Sequence, residues 1–158
     1  MIDANILLML REQHFLSQFN SQYIERLAQL ATEVRFEKNG LIFREGDEST
    51  CFYLIIAGSV SVELTMPGRT LCVQRLGRGD ELGWSALLPA QTRRFQARAL
   101  ESTRAVAFDG SRLLGECEQD YEFGYRLLRR LLNVVAERLE ATQVQAVDIY
   151  SAAAEKTV

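Results

Sequence analysis

The chain has 158 residues, of which 47% are hydrophobic and 25% charged, and its formal net charge is −3. That size and apolar content suit one globular domain with a sizeable core, and the acidic balance argues against a nucleic-acid-binding surface spread over the whole protein. Cys51, Cys72 and Cys117 are odd in number, far apart and without metal-ligand spacing, so neither a disulfide framework nor a zinc or iron–sulfur site is indicated; all three read as buried small hydrophobes.

His14 is the single histidine and has no cluster around it, which leaves most nucleophile–histidine and multi-histidine metal arrangements without a partner. A non-enzymatic protein is expected, with no obligatory cofactor and no metal. The apolar run Ile6 to Leu10 has neither a basic flank nor a small-residue cleavage site, and no run reaches membrane-spanning length, so a cytoplasmic location is expected.

Residues 5–34 read as a helical preface. Leu7, Leu10, Phe15, Phe19, Tyr23, Leu27 and Leu30 recur at three- and four-residue intervals, and Ser21 is the expected helix cap. Over 35–108 the period drops to two, in Leu41/Phe43, Phe52/Leu54/Ile56, Val60/Val62/Leu64, Leu71/Val73 and Phe95/Ala97/Ala99. Asn39-Gly40, Ala57-Gly58 and Pro67-Gly68 punctuate the runs. Short strands at regular spacing predict a small barrel or jelly roll.

Residues 111–150 read as C-terminal helices. From about Asp120, Leu128, Leu132, Val135, Leu139, Thr142, Ala146 and Ile149 follow an alternating four-three spacing, the pattern of a coiled-coil seam, while Leu127, Leu131 and Val134 make a second stripe that soon fades. A helix from Asp120 to Tyr150 spans roughly 45 Å, longer than the face of so small a barrel. A parallel homodimer along the seam is expected. The fold class is therefore α+β, one domain over 1–158 with a β-jelly-roll barrel flanked by N-terminal helices and a long C-terminal helix.

The stretch "LGRGDELGWSALLPAQTRRFQARA" sets a glycine-rich bend before a short helical turn and follows it with paired arginines. Backbone N–H groups at such a bend, with a guanidinium nearby, make a seat for a small anion. Between Arg75 and Arg104 six arginines face three acids, a local +3 inside a chain of −3. Alternation sets Arg93 with Phe95 and Ala97 on the inward face, opposite Arg94, Gln96 and Arg98. An inward arginine needs an anionic partner, either a ligand phosphate or Asp80 or Glu81.

The order of these textures, with "EGDESTCFYLIIAGSVSVEL" and "GRGDELGWSALL" inside the barrel, resembles the cyclic nucleotide-binding domain of catabolite-activator-like regulators and kinase regulatory subunits. The pattern is matched at Glu45-Gly46, Phe52 to Ile55, Gly58, Val60, Gly79-Asp80, Gly83, Ala86-Leu87 and Arg93. The resemblance implies that Phe52, Leu54 and Ile56 fill the barrel. It also implies a cassette, residues 83–93, in which Gly83, Ser85 and Ala86 meet a cyclic phosphate and Arg93 neutralises it. At the position where the family carries an acid for the ribose 2′-hydroxyl, this chain has Trp84; Trp84 and Phe95 would shape the pocket, stack on a base or fill its place.

Two functions follow as expectations. One is a sensor whose effector is cyclic AMP, cyclic GMP or another small anion; the other is a degenerate domain serving as a dimerisation or docking scaffold. After the seam only "YSAAAEKTV" remains, too short for a helix-turn-helix, so direct DNA binding is not expected and a separate output protein is one way for the signal to leave the domain.

Overall fold

A computed structural model describes residues 1–157. The N-terminal segment folds as α1 (Ala4–Arg11), a 3-10 turn (His14–Leu16) and α2 (Ser21–Leu30). Asn20 caps α2 by accepting the Tyr23 N–H at 2.8 Å, one residue before the serine that the sequence suggests. The helix also ends sooner than its apolar periodicity implies, because residues 31–34 enter β1 (Ala31–Phe36) and pair with the last strand.

Eight antiparallel strands form two four-stranded sheets. After β1 come β2 (Leu41–Phe43), β3 (Cys51–Ala57), β4 (Ser59–Met66), β5 (Arg69–Gly77), β6 (Glu81–Leu82), β7 (Gln96–Ala99) and β8 (Thr103–Asp109). One sheet has the order β1-β8-β3-β6 and the other β2-β7-β4-β5. This is the expected jelly roll. Two helices complete the fold, α3 (Gly110–Gln119) and the 35-residue α4 (Tyr121–Glu155), capped by Asp109 and Asp120 respectively.

The first sheet is covered on both faces, which explains the nearly unbroken apolar run of β3. Phe52 and Leu54 join Val106 and Phe108 in a cluster shared with α1, α2, α3 and α4. Ile55 points the other way, into a smaller cluster between the sheets with Val60, Leu76, Leu82 and Ala97. The inferred alternation is therefore present with its faces exchanged: Phe52 and Leu54 hold the helices, and Ile55 rather than Ile56 fills the barrel.

On α4 the two stripes separate. Leu127, Leu131 and Val134 are buried against the domain, whereas Leu132 is 66% exposed and Leu139 57% exposed. Thr142 and Ala146 are also exposed, and the Thr142 hydroxyl donates back to the Arg138 carbonyl at 2.9 Å. The cysteines depart from expectation. Cys117 is buried, Cys51 is half-buried and Cys72 is exposed, the last because β5 presents most of its residues to solvent.

Candidate functional site

The cassette starts where β6 ends. Gly83 has φ +80°, a left-handed conformation that costs glycine little, and the turn Trp84–Leu87 follows at once. A Cβ on Gly83 would stand 2.8 Å from Arg93 Nη1 and 2.8 Å from the Cys51 carbonyl oxygen. The residue is thus glycine for two reasons, its backbone angle and the guanidinium lying against it.

Arg93 is fixed from both ends. Its N–H donates to the Asp47 carbonyl at 2.7 Å and its own carbonyl accepts the Gly46 N–H at 2.8 Å, so the stretch 91–93 is laced along 46–49. The side chain runs inward and the residue is only 5% exposed. Nη2 donates to the Cys51 carbonyl at 2.6 Å, Nη1 donates to Ser85 Oγ at 3.2 Å, and the guanidinium carbon sits 4.1 Å from the centre of the Phe43 ring. Ser85 Oγ is also hydrogen-bonded to Ser49 Oγ at 2.9 Å.

Among the described residues no carboxylate pairs with Arg93, and its buried Nε has no hydrogen-bond partner. Both acids that the sequence offers are occupied elsewhere. Asp80 accepts the Gly77 N–H at 2.8 Å and so closes the turn, while Glu81 is paired with Arg138 of α4. Burial pulls the Arg93 guanidinium below its ordinary pKa, against the Tyr53, Cys51 and Asp47 side chains, which favour its charge. Burial likewise pushes the Tyr53 hydroxyl up to about 12, which keeps it neutral beside that charge.

The remaining expectations divide. Gly83, Ser85, Ala86 and Arg93 are brought together. Trp84 begins the same turn, but its side chain packs partly buried against the larger cluster under the helices. Phe95 lies just before β7, 39% exposed and outside both apolar clusters, so it does not share the inward face of Arg93. The chain passes from the laced stretch into β7 between the two residues, which breaks the alternation that would have paired them.

Sequence reasoning missed Phe43 and the Cys51 carbonyl as the remaining contacts of the guanidinium, Ser49 as the partner of Ser85, and Gly110 behind the turn. A Cβ on Gly110 would stand 2.2 Å from the Ala86 carbonyl oxygen, so the start of α3 is pressed onto the cassette. A glycine directly after a capping aspartate was the one available signal. A cavity of about 250 Å³ opens beside this contact, lined by Ser49, Ala86, Asp109 and Ser111 among others, and Arg93 is not part of its wall.

Residues 33–120, more than half of the chain, match the cyclic nucleotide-binding domain family. The chain belongs to that family. A protein of Rhodopseudomonas palustris named as a potassium channel is 31% identical over 90 residues, which are 57% of this chain and 22% of that protein. The chain thus spans about a fifth of that relative's length. A structure from Geobacter metallireducens GS-15 described as a cyclic nucleotide-binding protein superimposes with TM-score 0.74 at 24% identity, covering 88% of this chain and 99% of the other. The catabolite activator protein of Thermus thermophilus gives 0.71 at 21% identity, covering 87% and 62%. The catabolite-activator-like jelly roll inferred from the motifs is the fold of this chain. No helix among the described residues is long and apolar enough to cross a membrane.

Proposed function

We propose that this domain is a non-enzymatic sensor that binds a small anionic effector at residues 83–93 and transmits occupancy to its C-terminal helix. The observation that carries the reading is Arg93: a buried guanidinium with an unpartnered Nε and no carboxylate in a salt bridge with it. An isolated buried charge is costly, and a ligand phosphate would complete its pairing in a low-dielectric setting where charge-assisted hydrogen bonds are strong. The effector is a cyclic nucleotide or another small anion.

Trp84 narrows the ligand. The indole offers a donor only, so it cannot accept from a ribose 2′-hydroxyl as an acid would. Losing one charge-assisted hydrogen bond of about 1.5–3 kcal/mol weakens binding by roughly one to two orders of magnitude. Cyclic AMP and cyclic GMP therefore bind this chain weakly, and an anion without a free 2′-hydroxyl is the better effector.

Transmission has a route. Glu81, two residues before Gly83, holds Arg138 on α4, and Ala86 touches Gly110 at the start of α3. The unburied stripe of α4 is the surface of a parallel homodimer, with Leu128, Leu132, Val135, Leu139, Thr142, Ala146 and Ile149 facing their copies, so that occupancy biases an interface. The domain works in the cytoplasm and passes its signal through the interface that α4 makes. A second reading, a scaffold that dimerises without a ligand, is favoured by one observation: the Trp84 side chain packs, partly buried, against the core under the helices.

Trp84 is the sole tryptophan, so its emission reports the cassette without interference. Titration with cyclic nucleotides and simple phosphate monoesters should shift the emission for at least one anion, and Arg93→Gln should abolish the shift. No response to any of them, with a dimer retained, would favour the scaffold.

A further inference from the structure

The long helix presents a third face that neither the core nor the dimer seam uses. Arg126, Arg129, Arg130 and Asn133 lie at three- and four-residue spacing on α4 and form one wall of a cavity of about 330 Å³. The opposite wall is the N-terminal 3-10 turn and the residues after it, including Phe15, Gln18 and Phe19. At about 100° per residue, this face is centred roughly 140° from the seam stripe and about 120° from the buried stripe. Dimerisation along the seam leaves it open.

Each of the three guanidinium groups has a partner within the domain. Arg130 donates through Nε to the Phe15 carbonyl at 3.1 Å, which ties α4 to the N-terminal turn, and lies 5.7 Å from the Phe15 ring. Arg129 donates to the Tyr125 hydroxyl at 3.0 Å. Arg126 alone has a carboxylate, Glu122 at 3.5 Å, and that pair is largely exposed. No acid lines the cavity, and the amides of Gln18 and Asn133 add further donors.

We infer that this groove is a second anion site, separate from the cassette, that takes a small phosphorylated molecule. Three arginines, of which Arg126 alone has a carboxylate partner, and two amides offer donors in excess of acceptors, so the occupant must supply negative charge and acceptors. A phosphate ester does this with tetrahedrally arranged oxygens that guanidinium groups meet in pairs. The groove's volume of about 330 Å³ is within the range of small-molecule pockets, and the exposed Tyr125 ring at its wall suits an organic remainder. An occupant would bridge the N-terminal turn to α4 and brace the helix against the domain.

The site is tested by calorimetric titration with inorganic pyrophosphate at low ionic strength, in an Arg93→Gln background so that the cassette makes no contribution. Saturable one-to-one binding is expected, weakened at least tenfold by adding R126Q and R129Q and changed less than twofold by adding R35Q and R94Q, two exposed arginines elsewhere. Arg130 is left intact because it fastens the helix. Non-saturable uptake, or equal losses in the two double substitutions, would overturn the site. A short duplex DNA that bound through Arg126 and Arg129 more tightly than pyrophosphate would overturn the ligand class. None of these results depends on whether the cassette binds an effector.

Discussion

Arg138 donates to both the backbone carbonyl and the carboxylate of Glu81, 57 residues earlier, and this joins the middle of the long helix to the strand that leads into the cassette. The two side chains are 20% and 9% exposed. Burial is the larger influence on Glu81 and raises its pKa despite the attraction of Arg138. The native carboxyl therefore binds its proton more readily than the unfolded one. Its contribution to stability is full at low pH and declines as pH rises through the window above the ordinary carboxylate value of about 4.3.

Arg138→Met should leave that carboxylate buried and alone, at a cost of about 3 kcal/mol near pH 7 that lessens toward pH 4 as the acid protonates. Glu81→Gln, which remains a neutral acceptor, should cost less and remove this pH dependence. Urea unfolding of the three proteins across that range checks both points. Equal stability of wild type and Arg138→Met at pH 7 would mean that the contact contributes nothing.

Asp109 gives the opposite sign. The Ser111 hydroxyl and the Arg112 N–H both donate to its carboxylate and hold its pKa below the ordinary range. The stability it confers is present above about pH 3.9, the unfolded value, and is lost as pH falls through the lower native value. Asp109→Ala should cost about 1 kcal/mol at neutral pH through loss of the α3 cap. Asp109→Asn should retain the cap and flatten the acid limb, as read by unfolding between pH 2 and 5.

Leu132→Asp and Leu139→Asp place charges on the exposed stripe of α4. If that stripe is the seam, each should convert a dimer to a monomer at micromolar concentration with little change in the domain's own melting, because the buried stripe is untouched. Sedimentation velocity reads the mass directly, and a monomeric wild type would remove the seam.

Much of this architecture was legible because periodicity reports burial. The change from three-four spacing to alternation and back locates the helices, the barrel and α4, and two stripes on one helix separate into a buried and a free one. What stayed hidden depends on contacts between distant residues. Nothing local says that β3 is covered on both faces, so Phe52 and Leu54 were expected in the barrel when they meet the helices. The partner of Glu81 is on α4, and the contacts of Arg93 come from β2, β3 and the loop between them. Phe95 was misplaced because alternation was extended through a stretch whose backbone is set by pairing with 46–49.

Gly83→Ala should act on the cassette alone. The methyl group would meet both Arg93 Nη1 and the Cys51 carbonyl, at a position that also demands positive φ, so a stability loss of about 1–3 kcal/mol is expected together with loss of any anion affinity. Thermal unfolding and the Trp84 emission titration report the two effects separately.

The central claim is that Arg93 seats an anion and that Trp84 withholds the acceptor a cyclic nucleotide needs. Calorimetric titration of the Trp84→Glu protein with cyclic AMP tests it most directly. The account predicts binding one to two orders of magnitude tighter than in the wild type, abolished when Arg93→Gln is added. Tight binding by the wild type, or none by Trp84→Glu, would contradict it.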